Sequence, residues 1–277
     1  MSYSAIMTHV QPDAACAPRL ACAIALARRF QARLIGVGAE MIPPLAFDNG
    51  FYSVDADWVV AMRESIDQQL GLAHDVFKRE TAGLPAGDAV WLCGIDTPAP
   101  ALAAASRAAD LIVLGGVADR GGSPYRDAAA AEVAMQAGRP VLVVPAGGKP
   151  LAANKIVVGW KDTREARRAL ADAQPFLDAA DAVLVLEICD GGDAEDARTR
   201  TGDVTEALRR RGVKAEAKVV VHHHEHVSGQ LLDEAKAFGA DLIVLGCYGH
   251  SRLGEWVFGG VTRDVLANEE AYLLLSH

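Results

Sequence analysis

The chain contains an internal repeat, and this repeat constrains the fold more than any other feature of the sequence. Residues 109–115 read Ala-Asp-Leu-Ile-Val-Leu-Gly, and the same seven residues recur at 240–246. Beyond these segments the two copies align without a gap, up to apolar runs at 140–144 and 271–275. A seven-residue match at one fixed offset predicts that the chain holds two copies of one domain.

A linker between the two copies is predicted near residue 147. Small residues, glycine and proline cluster at 146–150, as they do in exposed linkers. The 277 residues suffice for two domains, and a content of 51% hydrophobic and 23% charged residues is typical of a globular chain. We therefore predict one domain at 1–147 and a second at 148–277.

Within each copy, short apolar runs alternate with helical patterns. The second copy has five runs rich in Val, Ile and Leu, which is typical of strands buried on both faces; they span 156–160, 182–188, 215–221, 241–246 and 272–275. One amphipathic stretch begins at Asp162 with Glu165 three residues later, which predicts a capping box. Another ends at Gly239, and in the first copy an apolar stripe from Val59 to Phe77 predicts a long helix.

This alternation predicts an α/β fold with two tandem, doubly wound parallel sheets of five strands each. Ligands of such sheets bind beyond the carboxyl ends of the strands. Candidate functional residues are therefore expected directly after strands.

Charge, cysteine usage and the N-terminal segment limit the partners and the compartment. Lys and Arg number 27 against 36 Asp and Glu, a net charge of -9, and no basic block occurs, which argues against a nucleic-acid partner. The five cysteines are scattered without a CxxC pair, as expected of reduced thiols. The N-terminus lacks the charged region of a signal peptide, and no apolar run approaches the ~20 residues of a membrane helix. We expect a cytoplasmic protein without a membrane partner.

A glycine-containing loop follows the strand at 241–246 in the second copy. It reads Gly246-Cys247-Tyr248-Gly249-His250-Ser251 and, after seven further residues, Gly259-Gly260-Val261-Thr262. Glycines let backbone N–H groups approach an anion closely, and the threonine adds a hydroxyl. The loop favours phosphate binding over an empty strand-to-helix turn, which is the alternative.

The tandem copies and this loop resemble the universal stress protein family. Its nucleotide-binding branch carries a G-x2-G-x9-G-[S/T] motif around the phosphates of ATP. Gly246, Gly249 and Gly259 match at the required spacing, whereas Gly260 stands where the family usually has Ser or Thr. The resemblance implies that the second domain binds ATP or a related adenine nucleotide, with Mg²⁺ only as a companion of the nucleotide.

The resemblance also implies contacts from the ends of the first two strands of the second copy. The family commonly has Asp or Asn followed by Gly-Ser after the first strand, and here Lys161 takes that position. Lys161 reaches a phosphate or remains a solvated loop lysine; both possibilities stay open. Ile188, with its neighbours Glu187 and Cys189, would lie beside the adenine through backbone contacts. The candidate nucleotide-binding residues are Trp160, Lys161, Thr163, Ile188, Gly246, Gly249, His250, Ser251, Gly259, Gly260, Val261 and Thr262.

The first copy departs from this motif. Gly115-Gly116-Val117-Ala118 lacks the second glycine, and the gap-free alignment sets Ala128 and Ala129 opposite Gly259 and Gly260. We predict that this domain is degenerate for nucleotide and binds nothing or some other ligand.

Other conspicuous residues favour ordinary roles. Residues 222–226 read His-His-His-Glu-His, a pattern that a divalent metal could use, but a solvent-exposed loop is favoured and no metal site is predicted. Cys247 is expected to fill space rather than to act as a reactive thiol. No G-x-S-x-G, P-loop or G-x-G-x-x-G motif is present, so no catalytic residue is predicted and weak ATP hydrolysis is the most we expect.

The resemblance implies a regulatory protein of the stress response, and we expect its nucleotide to bias a conformation or a partner interaction. The two domains are expected to pack as a pseudo-dimer through the strands at 141–144 and 272–275, and a homodimer of whole chains is possible. The departures at Lys161 and Gly260 favour an alternative, a nucleotide-free interaction or chaperone-like module. A bulky residue at Gly249 is expected to abolish nucleotide binding without unfolding the protein.

Overall fold

The structure is a computed structural model of the chain. It describes residues 2–13, 15–41, 56–116, 123, 125–146, 150–222, 226–247, 260–267 and 271–277.

Strands and helices alternate along the whole chain. The first half contains β1 (Ala5–His9), α1 (Cys16–Phe30), β2 (Arg33–Glu40), α2 (Ala56–Glu80), β3 (Ala89–Ile95), α3 (Pro98–Ala105), β4 (Leu111–Gly115), α4 (Ala130–Ala137) and β5 (Val141–Val144). The second half contains β6 (Lys155–Gly159), α5 (Arg164–Asp172), α6 (Gln174–Leu177), β7 (Ala182–Cys189), α7 (Ala194–Arg210), β8 (Ala215–Val221), α8 (Val227–Phe238), β9 (Leu242–Gly246), α9 (Gly260–Leu266) and β10 (Tyr272–Ser276). The five strands predicted in the second half are confirmed to within one residue at each end.

The ten strands form one sheet in the order β3-β2-β1-β4-β5-β10-β9-β6-β7-β8. Neighbouring strands within each half are parallel, so the predicted α/β fold with two doubly wound five-stranded units is confirmed. The two units share an edge because β5 and β10 pair antiparallel, with Leu142 opposite Leu274. In each unit the strand order reverses beside the first strand, and the crevices at this reversal are where open α/β sheets bind ligands.

The contact between the halves is apolar. All residues of β5 and β10 are buried, and pairing satisfies backbone groups that an open sheet edge would leave exposed. On one face of the sheet, Tyr3 and Phe30 of the first half pack against Phe176 of the second, with ring centroids 5.1 to 5.6 Å apart. Edge-to-face and tilted contacts of this kind add to the stabilisation that burial of the rings supplies.

The helix-end predictions were partly right. Helix α8 is followed by Gly239 at φ +74, the left-handed conformation that glycine adopts at helix ends. In α2 the stripe Ile66, Leu70, Ala73 and Phe77 is buried as expected, but Val59 is 46% exposed because nothing among the described residues covers the first turns of α2.

The predicted capping box at Asp162 and Glu165 is wrong. The N-cap of α5 is Thr163, whose hydroxyl accepts a hydrogen bond from the Ala166 N–H at 3.3 Å. Asp162 pairs with Arg167, and Glu165 pairs with its neighbour Arg164. Thr163 takes the cap because its backbone is extended, at φ -125 and ψ 164.

None of the helices in the described ranges has the length and apolar character that crossing a bilayer requires.

Candidate functional site

A cavity of about 500 Å³ lies at the carboxyl ends of β6, β7 and β9. It is lined by residues from these three strand ends, from the turn between β7 and α7, from the end of β8, and from α8 and α9. They are Gly159, Trp160, Lys161, Leu186, Glu187, Ile188, Cys189, Asp190, Asp193, His222, Val227, Leu231, Leu245, Gly246, Val261 and Thr262. The volume lies within the range of small-molecule sites, and the position is the crevice where the strand order reverses.

Six of the twelve residues predicted to bind nucleotide line this cavity: Trp160, Lys161, Ile188, Gly246, Val261 and Thr262. Thr163 is not among the lining residues, because its hydroxyl caps α5. Gly260 is the first residue of α9. The predictions for Gly249, His250, Ser251 and Gly259 lie outside the described residues.

Gly246 is required by the approach of α5 to the end of β9. A Cβ atom at this position would lie 2.5 Å from the backbone nitrogen of Ala166 and 2.5 Å from the carbonyl carbon of Glu165. Real Cβ atoms essentially never come so close to backbone atoms. The glycine therefore has a steric role at the cavity wall, independent of any ligand.

Helix α9 is held against the cavity by its neighbour α8. The Ser228 hydroxyl, at the start of α8, donates to the Asp264 carboxylate at 3.0 Å. Val265 and Leu266 are buried in the core beneath α9. These contacts leave Thr262, which is 7% exposed, at the cavity wall.

The wall formed by β7 and α7 is acidic. The Arg200 Nη2 donates to Glu187 Oε1 at 2.7 Å and to Asp193 Oδ2 at 2.8 Å. These hydrogen bonds raise the pKa of Arg200, and the bond from Arg200 holds the pKa of Asp193 below its usual range. Glu187 is 4% exposed, and Asp193, whose lowered pKa keeps its carboxylate ionised at neutral pH, lies on the cavity surface.

The opposite wall is less acidic. Lys161 follows β6 at the cavity rim and is exposed, while its carbonyl accepts a hydrogen bond from the Thr163 N–H at 2.6 Å. On the β7 side, His222 lines the cavity from the end of β8, and its Nδ1 lies 3.2 Å from Gln230 Oε1. Among the residues that the structure describes, no group of three or more His, Cys, Asp or Glu side chains is arranged to hold a metal ion. Residues 223–225 are outside that set.

Cys247, directly after Gly246, is buried in the core. Burial raises the pKa of its thiol to about 12, so the thiol is protonated and unreactive at neutral pH. This supports the space-filling role expected for Cys247.

The corresponding position in the first half is filled by the protein itself. Gln11 stands 150 residues before Lys161 and is 7% exposed. Its amide donates to Asp127 Oδ1 at 3.1 Å and to Asp13. Asp13 also accepts a hydrogen bond from the Cys16 N–H at 2.8 Å, as Thr163 does from Ala166. The carboxylates of Asp13 and Asp127 thus lie beside Gln11, at the position that Lys161 occupies in the second half.

A buried histidine is a second difference between the first half and the second at this position. His9 occupies the position of Gly159 and is 1% exposed, and burial lowers its pKa to about 3. Arg19, also buried, donates from Nε to the His9 carbonyl at 2.8 Å. In the second half a Cβ at Gly159 would collide with the Leu245 side chain. The two halves therefore share a topology but not a site.

The sequence of the second half matches a family model. Residues 153–271 match the model of the universal stress protein family. These residues are a universal stress protein domain.

Solved structures extend the likeness in fold to both halves. A universal stress protein from Archaeoglobus fulgidus has 15% identity and a TM-score of 0.71, over 98% of this chain and 95% of that one. A protein of unknown function from Pseudomonas aeruginosa has 15% identity and a TM-score of 0.60, over 99% and 92%. A universal stress protein in complex with cAMP has 21% identity and a TM-score of 0.37, over 52% and 98%. No curated protein sequence matches the chain significantly.

Sequence reasoning missed the charged network of this universal stress protein domain. Glu187 was expected to contribute only its backbone, and Arg200 and Asp193 were not identified. Arg200 lies 13 residues after Glu187 and 7 after Asp193, spacings that carry no motif. Only the packing of α7 on β7 joins the three side chains.

Proposed function

We propose that the second domain, residues 148–277, binds ATP or a related adenine nucleotide, and that the first domain, residues 1–147, does not. The nucleotide would bias a conformation or a partner interaction in the stress response. Nothing in the proposal requires catalysis, and hydrolysis of the nucleotide would be weak.

One observation carries the proposal. Six residues selected from the sequence on separate segments line one cavity of about 500 Å³ at the strand ends. A nucleotide needs a cavity of this size class with few polar groups at defined places. The phosphates would lie beside Gly246 and Thr262, with Lys161 at the rim to neutralise charge.

The acidic wall supports one orientation of the nucleotide. Glu187, Asp190 and Asp193 line the side formed by β7 and α7, where they would repel phosphates. The base and sugar would therefore face β7, near Ile188, and the phosphates would face β9 and α9. In the first domain, the carboxylates of Asp13 and Asp127 beside Gln11 would oppose phosphate binding.

The proposal extends to compartment and internal assembly. The described structure holds all five cysteines as free thiols, which supports a reducing, cytoplasmic location. The antiparallel pairing of β5 with β10 supports an intramolecular pseudo-dimer of the two domains.

A homodimer of whole chains would form at β3. Among the described residues no further strand pairs with β3 or β8 at the two sheet edges. The strand β8 carries Glu216 and Lys218, whereas β3 carries no charged residue and exposes Leu92. Charges on an edge strand oppose pairing with another chain. Light scattering would give twice the chain mass for the wild type and the chain mass for Leu92→Lys; a monomeric wild type would contradict the homodimer.

Calorimetric titration of the apo protein with ATP tests the nucleotide proposal. Thr262→Val keeps the side-chain shape but removes the hydroxyl at the cavity wall, so we expect ATP affinity to fall roughly tenfold. The matched control is Thr205→Val, because Thr205 is also buried but lies on α7 and is not among the cavity-lining residues. An unchanged affinity in Thr262→Val would remove Thr262 from the site.

The second candidate function is a nucleotide-free interaction module. Lys161 and Gly260, where the family usually has an acidic or amide residue and a hydroxyl, favour it. If the wild type gives no heat and no bound ATP or AMP, this candidate replaces the first.

A further inference from the structure

Two buried polar atoms in the cavity-lining residues have no hydrogen-bond partner within the described structure. They are the indole Nε1 of Trp160, a donor, and the carboxylate Oε2 of Glu187, an acceptor. Trp160 is 6% exposed and Glu187 is 4% exposed. Leaving a buried donor or acceptor unpaired is costly, so each of these atoms calls for a partner.

The two side chains are neighbours on one face of the sheet. The last register pair of β6 and β7 is Gly159 with Leu186, and the Trp160 N–H donates to the Leu186 carbonyl at 2.7 Å. Extending this register by one residue sets Trp160 beside Glu187. Side chains opposed in this way in adjacent strands lie on the same face, about 5 Å apart at Cβ.

Both groups are held in place by the protein. Trp160 belongs to the buried core cluster that also contains Val183 and Val185, which lie on the same face of the sheet. Glu187 is held through its other oxygen, Oε1, which accepts from Arg200 Nη2. A ligand group that binds both atoms must accept a hydrogen bond from the indole N–H and donate one to the carboxylate.

We infer that Trp160 and Glu187 together bind a hydroxyl group of the ligand. A hydroxyl is able to accept from Trp160 Nε1 and donate to Glu187 Oε2 at once. Phosphates at neutral pH lack the donor, and an exocyclic amine lacks a good acceptor. In an adenine nucleotide a ribose hydroxyl fits this pair as a single group, whereas the adenine edge fits it only through its amino group and a ring nitrogen together. Because the proposed orientation sets the base near Ile188, we assign the pair to the sugar, and the protein is then selective for a sugar that keeps its 2′- and 3′-hydroxyls.

This inference rests on the proposed function, and it adds the residues that determine sugar specificity. The charged partner makes the contact strong, because hydrogen bonds to charged groups exceed neutral ones. Arg200 acts through Glu187 as a positioning residue. Asp193 shares Arg200 and thereby fixes the guanidinium.

The test compares ATP with 2′,3′-dideoxy-ATP by calorimetric titration of the whole chain. We expect wild-type protein to bind the dideoxy analogue roughly ten- to a hundredfold more weakly than ATP. Trp160→Phe and Glu187→Gln should reduce this ratio to less than about threefold, chiefly by weakening ATP binding. Titrations with 2′-deoxy-ATP and 3′-deoxy-ATP then assign the hydroxyl.

Matched controls separate recognition from folding. Glu206→Gln removes a carboxylate on α7 that pairs with Arg210 away from the cavity, and Trp91→Phe makes the same change as Trp160→Phe in the first half. Both controls should keep the wild-type ratio. Thermal unfolding checks that each variant is folded, and Trp160→Phe, which changes no charge, tests the inference even if Glu187→Gln unfolds.

The outcomes distinguish the two proposals. Equal binding of ATP and the dideoxy analogue by the wild type would overturn the inference and leave nucleotide binding intact. A ratio that persists in both variants would also overturn it, because residues other than Trp160 and Glu187 would then recognise the hydroxyls. Failure of the wild type to bind ATP at all would overturn the proposed function and this inference together.

Discussion

Replacing Gly246 with alanine should destabilise the protein far more than the same change at Gly115, its counterpart in the repeat. At Gly246 the new methyl group would lie 2.5 Å from Ala166 N and Glu165 C, and 2.8 Å from the Glu165 carbonyl oxygen. These are backbone atoms at the start of α5 and cannot rotate away. At Gly115 the nearest atom would be Arg19 Nη1 at 3.5 Å, an ordinary contact with a flexible side chain.

The magnitude follows from these distances. Overpacking costs about 1–3 kcal/mol, and the upper end applies at Gly246 because a helix must shift, so we expect a loss of about 3 kcal/mol. Neither glycine has a positive φ, so alanine is tolerated conformationally at both positions. Gly115→Ala should therefore change stability by less than about 1 kcal/mol, with a gain from the lower entropy of the unfolded chain.

Urea titration followed by circular dichroism measures both variants. The free energy of unfolding is compared at constant m, because a changed m would indicate a different unfolded or folded ensemble. Gly202→Ala is a further control: Gly202 lies inside α7 with nothing near its missing Cβ, and alanine should stabilise it by about 0.5–1 kcal/mol. Equal effects at Gly246 and Gly115 would refute the steric argument.

Three further predictions concern capping, pH and thiol reactivity. Thr163→Ala should cost about 1 kcal/mol in urea unfolding, since the N-cap hydroxyl is lost; an unchanged stability would contradict the assignment of the cap. Burial lowers the pKa of His9 to about 3, so below about pH 6.5 the unfolded state binds a proton that the folded state excludes. The free energy of unfolding should therefore fall by about 2 kcal/mol between pH 7 and pH 5 because of His9. In His9→Asn this contribution to the pH dependence of the free energy of unfolding should be absent. Cys93 is exposed and the other four cysteines are buried, so Ellman's reagent should label one thiol per native chain and none in Cys93→Ser; rapid labelling of a second thiol would contradict the burial.

The strands and their arrangement were predictable because they are buried on both faces. A strand such as β9, Leu242–Gly246, is uniformly apolar, and the repeat supplied its counterpart β4. Alternation with helices then implied a parallel sheet. The pairing of the two units into one ten-stranded sheet was predictable because their edge strands, β5 and β10, are apolar.

The helix ends were less predictable, because local patterns allowed more than one solution. Asp162 and Thr163 are both good N-cap residues, and the choice between them depends on the backbone angles with which the chain leaves β6. Val59 continues the apolar stripe of α2 but is exposed, since burial depends on what packs against each turn. The spacing of residues in the sequence reveals neither the backbone angles after β6 nor what packs against each turn of α2.

The candidate site was predicted where the signal was local and missed where it was distant. The glycine motif led to Gly246 and Thr262, which share the cavity wall. Gly246 was expected to serve an anion, whereas the geometry also gives it a steric role against α5. The link from Glu187 to Arg200 joins a strand to a helix, and only the three-dimensional packing reveals it.

The number of nucleotides bound per chain tests the central claim most directly. Native mass spectrometry of the apo protein titrated with ATP resolves each bound nucleotide as a separate mass. We predict one ATP per chain at saturation, because the second domain offers the cavity and the first fills the same position with Gln11 and Asp127. Saturation at two ATP per chain, or no bound ATP at all, would contradict the account.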